Sequence, residues 1–486
     1  MDKAKRTGII ILPDPKRVLF RPFKPGNEQR IVKILARINI LTEENIQAEM
    51  KQVLSEFGTR HQKAESFFMK RFEDVKSFLL TDQEISKERQ LLIGAYFTQE
   101  YSLEHSALFN PSMIWHPDQN NLQDGTRRFI ISLRATGEGH ISSITFRSGI
   151  IDGSNNITLD KHSKFVTHPD AYPNTNYEKA LFKIKLSELH VLNEFSNHVL
   201  SELEDNFTLA EISEKTLELH RIYTESHLGE YENTSNAIIE LAQSNYEVQF
   251  SEETHLSERV IFPFAPNELN GIEDARFVQF HEDNDSITFY ATYTAYNGRV
   301  TFPQLLETKD FLNFKINTLN GAEVHNKGMA LFPRKINGQY VMLSRQDGEN
   351  IYIMYSSHIN FWREKQMLLK PTYPWEYVQL GNCGSPIETE AGWLVLSHGV
   401  GPMRKYAIGA FLLDINDPSH IIGRLKEPLL TPDENEREGY VPNVVYSCGG
   451  VLNNRELIIP YAMSDYSSSF ATINLDELLH EMLKDH

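Results

Sequence analysis

The chain has 486 residues, and 48 basic against 66 acidic side chains give it a formal charge of −18. That balance argues against non-specific nucleic-acid binding, which needs a basic surface. With 40% hydrophobic and 23% charged residues the composition is that of a folded protein, and two cysteines, Cys383 and Cys448, exclude a disulfide framework or a Cys-rich zinc module.

At the N-terminus a charged segment precedes a short apolar run from Gly8 to Leu12, which Pro13 ends before it reaches the length of a signal-peptide core. No stretch reaches the ~18 apolar residues needed to span a bilayer. A cytoplasmic protein without membrane attachment is therefore expected. Residues 28–105 read as helical: Ile31, Ile34, Leu35 and Ile38 share one helix face, Val53, Leu54 and Phe57 continue such a face, and Phe68, Phe72, Val75 and Leu79 make another. Thr81 and Glu84 have the spacing of a capping box that would open a further helix. Residues 1–105 are thus expected to be an N-terminal helical extension, a platform or an oligomerisation element.

After Ser106 short apolar stretches alternate with turn residues, as in Phe129 to Leu133, Ile141 to Phe146, Ile287 to Thr294, Tyr340 to Ser344, Trp393 to Ser397 and Glu456 to Tyr461. Asn-Gly pairs at 297–298, 320–321 and 337–338 predict tight turns. A helical insertion is expected over about 187–242, where Thr208 and Glu211 form another capping-box pattern. The segments Asp310-Phe311-Leu312-Asn313-Phe314 and His358-Ile359-Asn360-Phe361-Trp362 form a faint repeat about fifty residues apart. Such spacing suits propeller blades, although a sandwich with long loops reads similarly. The predicted class is mainly β.

Polar groups cluster at several predicted strand ends. In Gly271-Ile272-Glu273-Asp274-Ala275-Arg276 strict alternation sends Glu273 and Asp274 to opposite faces and puts Asp274 beside Arg276. That pair reads as a site acid beside a cation or as a structural ion pair. Further clusters are Asn326-Lys327-Gly328 with Ser344-Arg345, Cys383 to Thr389 with Ser397-His398-Gly399, and Tyr461 to Asp465. A lone histidine such as His398 more often serves a core or loop than a reaction. The sequence contains no His-Glu-x-x-His, no phosphate-cradling loop with Lys-Ser/Thr and no Gly-x-Ser-x-Gly elbow.

In combination these stretches are informative. From Ala107 onward the chain resembles glycoside hydrolase family 130, the inverting mannoside phosphorylases and related β-mannosidases. The resemblance runs through Phe109-Asn110-Pro111-Ser112, Ser132-Leu133-Arg134, the Glu273-Asp274 stretch and Lys327 to Pro333. It continues through Gly384 to Thr389, Gly392-Trp393-Leu394, His398-Gly399-Val400, Leu412-Leu413-Asp414 with Asp417-Pro418, and Asn443 to Tyr446. It implies a five-bladed β-propeller catalytic domain over 106–486, with Asp274 as the general acid and Asn110, Arg134, Glu388 and Asp465 in the sugar subsite.

Arg147, Arg276, Lys327, Arg345 and His398 would form the phosphate pocket. Two departures stand out: Ala275 replaces the family's usual Pro, and Ser344-Arg345-Gln346 stands where relatives commonly show His-Arg-Pro. Arg147, where many relatives have a Ser-x-Asp-Gly turn, would supply the missing positive character.

The expected reaction is inverting phosphorolysis of β-mannosides releasing α-mannose 1-phosphate, with inorganic phosphate as co-substrate and no metal or other cofactor. A hydrolase would need a second carboxylate as base, whereas phosphate is already a nucleophile and needs cations to hold it. The alternatives are an inverting β-mannosidase and a propeller that only binds glycans. The expected partners are β-mannosides and phosphate, and a second copy through the helical extension.

Overall fold

The computed structural model describes residues 3–81, 83–172, 176–224, 231–298 and 301–484. Among these residues the chain is mainly β, with five antiparallel sheets of four to six strands and helices at the N-terminus, in one insertion and at the C-terminal end. No helix among them is long and apolar enough to cross a membrane.

Each sheet is a meander. Sheet I comprises Ala107–Trp115, Arg127–Thr136 and Ser142–Ile151, with Ile157–Leu159 and Val260–Ile261 both pairing with the third strand. Sheet II runs Ile272–His281, Ile287–Tyr296, Thr301–Thr308 and Asn313–Thr318, then adds Tyr246–Gln249 and Asp170–Tyr172. Sheet III is Lys327–Leu331, Tyr340–Arg345, Ile351–Ser356 and Gln366–Leu369. In sheets IV and V the first strand is broken in two. Gln379–Asn382 and Ile387–Thr389 pair with Gly392–Val400, which is followed by Tyr406–Leu413 and Ile421–Arg424. Val445–Tyr446 and Val451–Asn453 pair with Glu456–Met463, which is followed by Ser467–Asn474.

The outermost strand of sheet V is Lys5–Ile11, which pairs antiparallel with Ser467–Asn474. The expected division at 105/106 therefore separates a strand from the sheet it completes. Local periodicity cannot reveal such a pairing, because the partner lies at the far end of the sequence. Residues 28–105 do carry four helices, Glu28–Asn39, Glu43–Phe57, Ala64–Val75 and Lys87–Tyr96, followed by the strand Thr98–Ser102 paired with Val18–Pro22. Leu35, Ile38, Phe68, Phe72 and Val75 are buried in their shared core, as the apolar faces predict. The last helix starts later than expected. Ser86 accepts the Arg89 N–H at 3.3 Å and caps it, while the Thr81 hydroxyl turns back to the Gln83 N–H.

The insertion is a four-helix excursion between the paired strands Asp170–Tyr172 and Tyr246–Gln249. Its helices are Lys179–Glu188, Glu194–Ser201, Leu209–Thr224 and Glu232–Gln243, so it begins before the expected residue 187, and positions 225–230 lie outside the described residues. The Thr208–Glu211 box forms reciprocally: the Thr208 hydroxyl accepts from Glu211 N, and the Glu211 carboxylate accepts from Thr208 N at 2.7 Å.

Of the Asn-Gly turns, Asn337 and Gly338 (φ 52° and 78°) close the two-residue turn between Ile336 and Gln339. Asn320-Gly321 does something else. It meets the 358–362 segment of sheet III, with Asn320 N donating to Asn360 O and Trp362 N donating to Asn320 O. A Cβ on Gly321 would lie 2.0 Å from the Trp362 carbonyl oxygen, so only glycine fits. The two members of the faint repeat each join the third strand of a sheet to the fourth, one in sheet II and one in sheet III.

Hydrogen bonds link successive sheets. Phe277 N donates to the Ser112 hydroxyl, His281 N to Pro333 O, Leu380 N to Glu349 O, Tyr406 N to Asn443 O, and Leu108 N to Tyr466 O. These contacts run from sheet I through sheet V and return to sheet I.

Candidate active site

The first strands of sheets I, II and III share a defect at the same register. Phe109 pairs with Arg134 and Ser112 with Ser132, so Asn110 and Pro111 together oppose Leu133. In the same way Asp274 and Ala275 oppose Tyr293, and Gly328 and Met329 oppose Ser344. The first bulged residue is left-handed each time: Asn110 at φ 48°, Asp274 at 55° and Gly328 at 88°. Asn and Asp tolerate that region better than most residues, and a bulge re-aims the side chain it carries. Ala275 thus occupies the bulge position that Pro111 holds in sheet I, and the Asp274 backbone keeps the left-handed conformation without a proline.

The bulge cancels strict alternation. Glu273 and Asp274 do not diverge; both meet Arg134, which donates to Glu273 Oε1 at 2.9 Å and to Asp274 Oδ1 at 3.4 Å. Asn110 Nδ2 donates to the same Asp274 oxygen at 2.6 Å, and Lys327 pairs with the other oxygen of Glu273. Burial pushes the Asp274 carboxyl up, but Arg134, Arg276, Lys327 and the Asn110 hydrogen bond outweigh it and hold the group below the usual carboxylate range.

A cavity of about 200 Å³ opens over these groups. All five sheets, or the loops that join and precede their strands, line it: Asn110 and Arg134 (I), Asp274 (II), Lys327 and Arg345 (III), Gln379, His398, Arg404 and Tyr406 (IV), and Val441, Val444, Tyr446 and Asp465 (V). Arg345 Nη1 lies 3.0 Å from His398 Nε2, and Gln379 Nε2 lies 3.4 Å from the same nitrogen. Burial pushes the His398 imidazole well below its usual value, and Arg345 and Arg276 add to that. The ring is neutral at pH 7 and accepts the Arg345 N–H. Asp465 sits in a left-handed turn with Ser464 (φ 53° and 47°). Burial and then the charge of Asp274 push its carboxyl up to about 6, against the pull of Arg134 and Arg404.

Three expected site residues are elsewhere. Arg147 is buried among structural partners: Nη2 donates to both oxygens of Glu104 at 2.8 and 3.0 Å, and Nη1 donates to Phe146 O. It does not line the cavity and supplies no charge to it. Arg276 lies beneath the cavity with each of its three nitrogens donating, Nε to Cys383 O at 2.8 Å, Nη1 to the Asp274 carbonyl at 3.0 Å and Nη2 to the Tyr446 hydroxyl at 2.7 Å. It positions the site rather than facing a ligand. Glu388 is on the surface, held by Arg334 at 2.9 and 2.7 Å.

Conversely, the structure adds Gln379, Arg404, Tyr406 and Tyr446. Tyr446 falls in a stretch that the resemblance includes. Arg404 is announced only by the turn signal Gly401-Pro402, which says nothing about charge. Among the described residues no group of three His, Cys, Asp or Glu side chains is placed to hold a metal ion.

The family profile described as β-1,4-mannooligosaccharide phosphorylase matches residues 206–484. A 1,2-β-oligomannan phosphorylase of Thermoanaerobacter sp. (strain X514) is 33% identical over 266 residues, which are 53% of this chain and 86% of that protein. A β-1,2-mannobiose phosphorylase of Listeria innocua serovar 6a is 33% identical over 230 residues, 46% of this chain and 63% of that protein. The solved β-1,2-mannobiose complex of the Listeria innocua enzyme aligns over 79% of this chain and 94% of its own at 19% identity, with a TM-score of 0.48. With the profile spanning more than half of the sequence, including Asp274, Lys327, Arg345, His398 and Asp465, the chain belongs to glycoside hydrolase family 130.

Proposed function

We propose that the protein cleaves β-mannosides by inverting phosphorolysis and releases α-mannose 1-phosphate, and that its five sheets are the blades of a propeller around the cavity. The observation that carries this reading is the state of the cavity cations. Arg134 and Lys327 are neutralised by Glu273 and Asp274, whereas Arg345 pairs with no carboxylate among the described residues. Arg345 leans instead on a neutral imidazole. An uncompensated, partly desolvated guanidinium is a strong site for a phosphate oxygen, since charge-assisted hydrogen bonds gain from the low local dielectric.

Asp274 is the acid of this reaction. At pH 7 it is ionised, so it takes a proton, from solvent or from dihydrogen phosphate, before it can donate one. Phosphate bound at Arg345 brings negative charge into the cavity and raises the proton affinity of the carboxyl. Asn110 and Arg134 keep the group oriented meanwhile. A phosphate oxygen then bonds to the anomeric carbon from the face opposite the departing sugar, the glycosidic C–O bond breaks, the departing oxygen takes the Asp274 proton, and the configuration inverts. The two free, buried thiols, Cys383 and Cys448, suit a reducing compartment, and we place the reaction in the cytoplasm.

One observation favours the second reading, an inverting β-mannosidase. Asp465 lines the same cavity with its carboxyl raised to about 6, as a base that activates water would be. The test is to incubate the protein with β-1,2- and β-1,4-mannobiose with and without phosphate. Phosphorolysis predicts α-mannose 1-phosphate only when phosphate is present, and equal release of free mannose without phosphate would establish the hydrolase instead.

A further inference from the structure

A cavity of about 200 Å³ is smaller than the ~300–1,000 Å³ of usual ligand pockets. It accommodates the scissile end of a mannoside with phosphate, and the departing sugar has to extend to the rim. In each meander the hairpin between the second and third strands and the loop leading into the first strand are at one end. Arg404 and Asp465, on two such hairpins, and Val441 and Val444, on one such loop, line the cavity, so this is the cavity end. These loops also carry Leu269, Tyr377, Val378, Met403, Tyr440 and Tyr466, all large apolar side chains left exposed. Exposed apolar groups gathered round a polar cavity mark a binding surface.

One part of this rim is built rather than merely exposed. The His140 and Tyr440 rings lie 5.7 Å apart at 31°, joining the hairpin after the Arg134 strand to the loop before Val445–Tyr446. Tyr440 is 64% exposed, yet its neighbours are seated: Val441 N donates to Ser464 O at 3.1 Å, and a Cβ on Gly439 would lie 2.3 Å from that oxygen. Asp465 is the next residue. On the other side Gly137 N donates to Ile141 O, and Gly139 and His140 are both left-handed, at φ 67° and 60°. The hairpin is braced from outside the propeller, because the buried Tyr101, at the end of the N-terminal extension, donates its hydroxyl to Ile141 O at 3.0 Å.

We propose that Tyr440, backed by His140, is the platform on which the departing sugar rests, and that Tyr101 of the N-terminal extension positions it. The proposal rests on the mannoside reading above. A pyranose presents an apolar C–H face and a rim of hydroxyls, which matches an aromatic ring that has both a face and a polar tip. Tyr101 and His140 precede the segment matched by the family profile. The extension thereby sets which sugar is accepted as well as supporting the fold.

The full chain is assayed in the synthetic direction, with α-mannose 1-phosphate as donor and mannose or mannobiose as acceptor. Tyr440→Ala should raise the acceptor KM about tenfold or more and leave the donor KM within about twofold, while Tyr440→Phe, which keeps the ring face and loses the polar tip, raises the acceptor KM by a much smaller factor. Tyr101→Phe should raise the acceptor KM by a smaller factor with kcat unchanged. Equal changes in both KM values, or none, in Tyr440→Ala would overturn the platform. Saturation-transfer NMR of β-mannobiose without phosphate separates the two levels. Wild-type binding that Tyr440→Ala abolishes, in a protein that never forms α-mannose 1-phosphate, would sustain the platform and refute phosphorolysis. A wild-type protein that binds no mannoside would refute both.

Discussion

Two arginine clusters among the described residues can be set side by side, one closed on a carboxylate and one open to a cavity. Around Glu104, Arg147 and Arg17 converge on one buried carboxylate, with Arg17 Nε 3.3 Å from it. Around His398, Arg345 faces a neutral ring and a cavity. Both clusters are mostly buried and both sit on strands or at strand ends. The difference is the counter-charge: a guanidinium already satisfied by a carboxylate joins elements together, and one held by a neutral acceptor keeps its charge for an anion. An arginine in a sequence motif is therefore not a phosphate ligand until its carboxylate partner has been sought.

The largest effect should come from Asp274, which belongs to neither cluster but serves the open one. Asp274→Asn should lower kcat by about 10²–10⁴-fold with an unchanged circular dichroism spectrum, as for loss of a positioned acid. Arg345→Ala should raise the phosphate KM by about tenfold or more, the scale of a lost charge-assisted contact, with a much smaller change in the mannoside KM. If the two constants move together, the open cluster is not the anion site.

Arg147→Ala sharpens the contrast from the other side. It leaves Glu104 buried with the more distant Arg17 and the Asp14 N–H, so stability should fall by about 3 kcal/mol, read from denaturant unfolding, while the surviving folded enzyme keeps its phosphate KM. Asp465 gives a pH signature. Its carboxyl titrates near 3.8 when unfolded and near 6 when folded, so the folded state holds the extra proton between these values. The stabilisation this provides is complete below about 4 and lost as pH rises through about 6. Asp465→Asn should therefore melt at a higher temperature than wild type at pH 8, and the gain should shrink at pH 4. The smallest effect is expected at Glu388. An exposed ion pair contributes about 1 kcal/mol at most, so Glu388→Gln should leave both KM values and the melting temperature near wild type.

Strand and helix types were legible because they depend on local period. The same is true of the capping box at Thr208 and the two-residue turn at Asn337. The site was legible where the resemblance named residues that sit at first-strand bulges or beside the cavity, as with Asn110, Asp274, Lys327 and His398. It was illegible where the outcome depends on three-dimensional counter-charge. Nothing in Phe146-Arg147-Ser148 shows that Glu104 waits across the sheet, and nothing in Ile387-Glu388-Thr389 shows Arg334 beside it. The alternation rule failed at Glu273-Asp274 because the bulge adds a residue that no periodicity registers. The matching bulges at Asn110 and Gly328 would have been the clue.

The strand Lys5–Ile11 has a consequence for synthesis. It emerges from the ribosome long before its partner Ser467–Asn474 is made. At ~5–20 residues per second the strand waits roughly half a minute or longer with its backbone unpaired. Sheet V cannot assemble until 467–474 has emerged, and the contacts that run from sheet I round to sheet V are completed only then. Until then the nascent chain displays the open edge of Lys5–Ile11, an invitation to chaperones or to a neighbouring copy.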